Sequence, residues 1–125
     1  MPIKLTQAEI EEMQQRYHYL INYESDDPCA PIDPLTYTGS GGDHLIHTAA
    51  ALGDLRTVEL LVKAGVDVNR RGEDGCTALH YARWKVENND IARMKGRDDV
   101  ARFLLAHGAS EDILNDFGDP PGAIY

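Results

Sequence analysis

Residues 53–65 read GDLRTVELLVKAG, and residues 96–108 read GRDDVARFLLAHG. Both stretches begin and end with glycine and carry apolar side chains three or four residues apart, a spacing typical of one face of an α-helix. In the first stretch the apolar positions are Leu55, Val58, Leu61 and Val62. The closing glycine suits the left-handed conformation in which many helices end. The two stretches therefore predict an amphipathic helix that occurs twice.

A second pair of similar stretches precedes this one. Residues 42–50 read GDHLIHTAA and residues 75–83 read GCTALHYAR, 33 positions later, whereas the helical stretches are 43 positions apart. Ten additional residues therefore fall inside the second unit, between Trp84 and Lys95. A third start, residues 115–118, leaves room for only a turn before the chain ends at Tyr125.

These units resemble the ankyrin repeat, which has a period of about 33 residues and a Thr-Pro-Leu-His-x-Ala signature. Residues 77–82 differ from that signature at one position and residues 44–49 at three, and residues 58–69 resemble the second ankyrin helix with its exit turn. The resemblance implies an all-α fold, a short ankyrin-repeat stack of two full repeats and a truncated third turn. The repeats are predicted at 42–74 and at 75–114, the latter with an insertion at 84–95.

The ends of the chain are predicted to cover this short stack. Residues 5–23 are expected to form an N-terminal capping helix, because Thr6 and Glu9 make a capping box and Leu5 can pack on Ile10. Prolines and glycines then indicate an extended connector at 24–41. Two repeats and a turn are fewer than the three or so that a stack needs. The N-terminal helix is therefore expected to cap the first repeat, and residues 115–125 to cover the other end.

The charge is unevenly distributed along a chain of formal net charge -9. The segments before residue 44 and after residue 95 are acidic, and the middle is nearly neutral. Such a field disfavours nucleic acid and anionic lipid and speeds encounter with a basic protein. No signal peptide or membrane span is recognisable, so a soluble cytoplasmic protein is expected.

No catalytic, cofactor-binding or metal-binding arrangement is expected. His44 and His47 lie three residues apart, but no Cys, Asp or Glu completes a ligand set at helical spacing. The resemblance implies that His47 and His80 instead hold turns by hydrogen bonds. The glycines at 39–42 are not followed by the Lys-Ser or Lys-Thr of a phosphate-binding loop. Cys29 and Cys76 are expected to be free thiols, and we expect that the protein is not an enzyme.

The resemblance also suggests where a partner binds, because ankyrin proteins usually contact partners through turn tips and the exposed side of the first helix of each repeat. On this sequence those positions are Asp43, Ala51, Glu73, Asp74, Cys76, Trp84, Lys85, Asp116, Phe117 and Asp119. Trp84 is the strongest candidate, since Trp is enriched among interface hot spots. Equally, Trp84 can pack beneath the insertion as local core.

Two functions fit a non-catalytic protein-binding module of this kind. The sharper hypothesis is an inhibitor, resembling the small acidic ankyrin proteins that act as immunity proteins by neutralising a basic bacterial toxin. The alternative is a generic ankyrin scaffold or regulatory subunit of a larger complex. The identity of the partner distinguishes them.

Overall fold

The structure, a computed structural model, describes residues 3–84 and 91–122. Its α-helices in this part of the chain are α1 (Gln7–Arg16), α2 (Leu45–Leu52), α3 (Leu55–Lys63), α4 (Ala78–Ala82) and α5 (Ile91–Ala106). A short 3-10 helix, Glu73–Gly75, precedes α4, and no β-strand occurs in these ranges. The predicted all-α class is therefore confirmed. None of the helices described is long and apolar enough to cross a membrane.

Two helix pairs stack to form the body of the protein. Helices α2 and α3 form the first pair, and α4 and α5 form the second. Helix α2 packs against α4, while α3 packs against α5. The apolar faces meet in one core, in which the most deeply buried large side chains include Ile46, Leu61, Leu79 and Leu104.

Of the stripe predicted on α3, Val58 and Leu61 are buried, and Leu55 and Val62 pack against the core while partly exposed. Thr57 and Leu60, which were not part of the predicted stripe, are buried as well, so the sequence pattern predicted two of the four buried positions on α3.

The exit turns of the two pairs lie side by side. Gly65 and Gly108 both have positive φ angles, 97° and 93°, as predicted from their place after a helix. Asn69 joins the turns, since its side-chain amide donates to the Gly108 carbonyl at 3.1 Å and its side-chain oxygen accepts from the Ser110 N–H at 2.8 Å. These bonds keep the two units in register.

Helix α1 lies against α3 of the first pair. The predicted capping box is present: Thr6 accepts from the Glu9 N–H, and Glu9 accepts from the Thr6 N–H. Met13 on this helix is buried in the common core. Its polar face is tied to α3 by a 2.8 Å ion pair between Glu9 and Lys63. The helix thus covers apolar surface of the first pair.

Helix α1 is shorter than the predicted 5–23 and ends at Arg16. Tyr17, the next residue, has a buried ring whose hydroxyl donates to Asp54 at 2.7 Å. Further on, Asn22 donates from its backbone to the Pro28 carbonyl and from its side chain to the Pro31 carbonyl. These tertiary bonds turn the chain back onto the proline-rich connector. Ile21, which lies within the predicted range of the helix, is 47% exposed.

The predicted insertion at 84–95 is partly helical, because α5 begins at Ile91 and runs without a break to Ala106. Gly96, which matches the turn glycine Gly53 in sequence, therefore lies inside a helix. A Cβ atom at Gly96 would collide with the Gly53 carbonyl. The glycine thus permits α5 to approach the end of α2 rather than forming a turn.

Candidate protein-binding groove

Three turn tips follow one another along the stack: the first at Asp43, the second at Glu73 and Asp74, and the third at Asp116 to Asp119. The two signature histidines fix these tips. His47 accepts from the His44 N–H through Nδ1 at 2.9 Å and contacts the Arg70 carbonyl through Nε2 at 2.8 Å. His80 does the same with the Thr77 N–H and the Asp119 carbonyl, both at 2.9 Å. A backbone N–H only donates and a carbonyl only accepts, so each ring is neutral with its proton on Nε2. Each histidine thus ties the start of a first helix to the tip of the next unit.

Asp43 joins the first tip to the second unit. Its carboxylate accepts from the Tyr81 hydroxyl at 2.8 and 2.9 Å and from the Glu73 N–H at 2.8 Å. Burial, followed by this hydrogen bond, raises the pKa of Tyr81 above its ordinary value. Asp43 was predicted as a partner contact, and in this structure its carboxylate is already engaged within the protein.

A groove of about 640 Å³ opens beside these tips and the start of α4. Six of the ten predicted contact residues line it: Asp43, Glu73, Asp74, Cys76, Trp84 and Phe117. Phe117 is 70% exposed and Trp84 is 48% exposed. The Trp84 ring lies 6.2 Å from the ring of Tyr81, which also lines the groove. The groove therefore combines exposed aromatic surface with carboxylates.

Trp84 sits between this groove and a second cleft. The second cleft, of about 620 Å³, is also lined by Met94 and Arg97 of α5. The Trp84 backbone carbonyl accepts a 3.3 Å bond from Arg97, and the side chain stays about half exposed. The side chain therefore contacts the Tyr81 ring and still exposes surface that a partner can reach.

Three more of the predicted contact residues, Ala51, Asp116 and Asp119, are described by the structure but do not line the groove. The Ala51 carbonyl on α2 accepts a 2.6 Å bond from Arg97, which places it beneath α5. Asp116 and Asp119 belong to the third tip, where the Asp116 N–H donates to the Asp74 carbonyl and the Asp119 carbonyl meets His80. Lys85 lies outside the described residues.

The groove also contains residues that the sequence reasoning missed. Tyr81 occupies the variable slot of the signature, on the exposed side of α4, and its place next to the signature histidine is the signal that points to it. Asn115 and Pro120 complete the wall beside Phe117. Their position depends on how the third tip folds against the second. The sequence does not predict this contact, because the third unit is too short to align with the two full repeats.

Cys76 and His80 are the two groups of the groove whose residue types could serve as nucleophile and base. Burial raises the pKa of the Cys76 thiol, which opposes formation of the reactive thiolate. The sulfur lies 3.6 Å from the side-chain amide of Asn115. Both ring nitrogens of His80 hold backbone atoms, so this histidine is not placed to act as a base. Arg83, the basic residue of the lining, pairs with Glu111 at 2.7 Å, and the groove is left predominantly acidic.

The two histidines of the first repeat differ in their contacts. His47 has both ring nitrogens engaged, as described above. His44 has a buried Nδ1 without a hydrogen-bond partner among the described residues, and burial lowers its pKa. No group of three or more His, Cys, Asp and Glu side chains suited to a metal ion was found in residues 3–84 and 91–122.

Stacked helix pairs with ordered tips and a concave groove define a repeat protein of the solenoid class. Family models agree: "Ankyrin repeats (many copies)" matches residues 46–85, and "Ankyrin repeat" matches residues 74–116. Together these matches span more than half of the chain, which therefore belongs to the ankyrin-repeat family.

Several curated proteins are similar to this chain. Protein phosphatase 1 regulatory subunit 27 of Mus musculus is 42% identical over 79 residues, which is 63% of this chain and 45% of the mouse protein. Ankyrin repeat domain-containing protein 40 of Homo sapiens is 42% identical over 77 residues, 61% of this chain and 18% of that protein. Protein phosphatase 1 regulatory subunit 12A of Mus musculus is 33% identical over 88 residues, 70% of this chain and 7% of its own length. The chain thus spans less than half of each of these relatives.

Proposed function

We propose that this chain is a non-catalytic protein-interaction module that serves as a scaffold or regulatory subunit of a larger complex. The observation that carries the proposal is the groove, where Trp84 and Phe117 expose aromatic surface next to the carboxylates of Glu73 and Asp74. Aromatic anchors supply most of the binding energy in many interfaces. Acidic surroundings favour a partner with a basic surface.

The relatives support a regulatory role over the narrower toxin-neutralising one. Two of the relatives described above are named as regulatory subunits of protein phosphatase 1. The groove and the charge suit a basic toxin equally well, but the relatives' names favour the scaffold or regulatory alternative. An immunity function stays a hypothesis that identification of the partner would test.

The test is quantitative affinity capture from lysate, in which the wild-type chain and two variants are each immobilised as bait. The wild-type chain should retain a basic partner, and a Trp84→Ala/Phe117→Ala variant should lose it. The matched control is Ile3→Ala, which removes another exposed apolar side chain (59% exposed) from a surface cleft formed by α3 and α5. Melting curves must show that the groove variant remains folded. Equal recovery of every protein by the wild type and the folded groove variant would refute the groove as the binding site.

A further inference from the structure

The segment between α1 and α2 carries a patch of tyrosine rings, here called the tyrosine patch, formed by Tyr19, Tyr23 and Tyr37. Tyr19 and Tyr23 are 57% and 56% exposed, respectively, although both are large amphipathic side chains. The Tyr19 ring is held in place, with the Tyr17 ring centroid 6.2 Å away and the His18 ring edge-on at 5.9 Å. Rigid, exposed tyrosines offer a large contact area at a small cost in conformational entropy.

The tyrosine patch adjoins the groove. Thr38 and His44 form an antiparallel bridge, and the Gly39 N–H donates to the Asp43 carbonyl at 2.8 Å. The Tyr37 hydroxyl lies against Gly39, within 3.2 Å of where a Cβ atom there would sit. Asp43 in turn lines the groove. The pKa of Tyr37 is raised by burial and then by Tyr23, Asp43 and Tyr19, which agrees with the closeness of these groups.

The chain segment that carries the patch is acidic. The sequence contains no Lys or Arg between Arg16 and Arg56. The same stretch carries exposed carboxylates at Glu24, Asp26, Asp27 and Asp33. A basic segment is therefore attracted to this face, and Lys or Arg side chains can also stack on tyrosine rings.

We propose that the tyrosine patch is a second half of the partner-binding surface and that it binds a basic segment continuous with the one in the groove. This inference rests on the proposed function, since the groove supplies the first half. Its occupant is a single basic polypeptide segment that crosses the Asp43 tip. The patch adds contact area, and its neighbouring carboxylates extend the preference for Lys and Arg beyond the groove.

The test uses random 16-residue peptides displayed in a library and selected on the wild-type chain. Selected peptides should be enriched in Lys and Arg. Their affinity should fall about tenfold for Tyr19→Ala/Tyr23→Ala, as expected for loss of interface aromatics. The conservative Tyr19→Phe/Tyr23→Phe variant, which keeps the rings, should stay close to wild type. Tyr23→Ala alone leaves the Tyr17–Tyr19 contact intact and serves if the double variant unfolds.

Trimming the selected peptides from one end separates the two halves of the surface. A trimmed peptide should bind the wild type and the patch variant equally, yet remain sensitive to Trp84→Ala/Phe117→Ala. Peptides that depend on the groove but never on the tyrosines would overturn this inference and leave the proposed function standing. Peptides that depend only on the tyrosines would overturn the groove and, with it, the continuous surface proposed here. Selection of acidic or uncharged peptides, or of none, would overturn the basic occupant.

Discussion

The Tyr81 hydroxyl on α4 donates to both carboxylate oxygens of Asp43, at 2.8 and 2.9 Å, across the boundary between the two repeats. Asp43 also accepts from the Glu73 N–H, so one carboxylate joins the first tip, the second tip and the second unit's first helix. The groove wall is therefore held by a bond between units, which ties the shape of the site to the stability of the stack.

Replacing Tyr81 with Phe should destabilise the protein by about 1.5 kcal/mol, because a hydrogen bond to a half-buried charged acceptor is lost. Urea unfolding measures the change, with Tyr23→Phe on the exposed surface as the control. An interaction energy near zero in a double-mutant cycle with Asp43→Ala would contradict the role given to this bond.

Stability should fall as the pH drops below 6.5, because His47 must stay neutral to accept the His44 N–H. Burial is the main cause that lowers the pKa of His47 in the folded protein below its ordinary value of 6.5. The unfolded chain therefore binds a proton at a higher pH than the native chain. The free energy of unfolding decreases as the pH falls from 6.5 towards the lower pKa of His47 in the folded protein. Unfolding curves between pH 8 and pH 5 measure the slope.

Two variants separate His47 from other titrating groups. His47→Gln should reduce the slope below pH 6.5 and leave the part that comes from His44, whose pKa burial also lowers. Glu9→Gln should leave the slope between pH 6.5 and pH 5 unchanged. Hydrogen bonding to Lys63 lowers the pKa of Glu9 from 4.5 to about 2, so the stability that Glu9 contributes decreases only between these two pH values. An undiminished slope in the His47 variant would show that other groups carry the effect.

Gly96→Ala should destabilise the protein by about 1–3 kcal/mol through overpacking. In most helices this change is favourable, since alanine is the better helix former. Here the added Cβ meets the backbone carbonyl of Gly53, which cannot rotate away. Thermal melting measures the change, and Lys95→Ala, at an exposed neighbouring position on the same helix, is the control. A rise in melting temperature for Gly96→Ala would mean that α5 and α2 are not in close contact there.

Removing the Met13 side chain tests whether helix α1 is an integral part of the fold. Met13 is 1% exposed, and Met13→Ala should lower the free energy of unfolding by about 2–5 kcal/mol. Gln15→Ala, on the exposed face of α1, should change it by less than about 0.5 kcal/mol. Deleting residues 1–24 should have a larger effect than Met13→Ala and promote aggregation. A deletion variant that melts like the wild type would show that α1 is not a cap.

The acidic third tip should govern the rate of encounter with a basic partner. Neutralising Asp116 and Asp119 to Asn should slow association and leave dissociation nearly unchanged, because long-range attraction acts before contact. The difference should vanish at high salt, since screening acts over about 10 Å at 0.1 M. Surface plasmon resonance with the captured partner at several salt concentrations measures both rates. An association rate that ignores salt would rule out this steering.

Much of the fold could be predicted from local sequence, since its signals act within a few residues. Neighbouring side chains or helical spacing are enough to predict the capping box of Thr6 and Glu9, the left-handed Gly65 and Gly108, and the burial of Val58 and Leu61 on α3. The matched stretches likewise identified the repeats. Six predicted contact residues line one groove, and their part in binding stays a prediction.

The sequence by itself determined the class of fold, the order of the helices and the excess of acidic charge, because periodicity, capping and composition are properties of the chain. Only the tertiary structure decided where α1 ends, that Gly96 lies inside a helix, and that Asp43 holds Tyr81. These features involve atoms distant in sequence. The Tyr17 hydroxyl donates to Asp54 just after α1 ends, and the Gly53 carbonyl occupies the space beside Gly96 on α5. Such contacts override local preference, since burial and hydrogen bonding outweigh the small differences in intrinsic helix propensity.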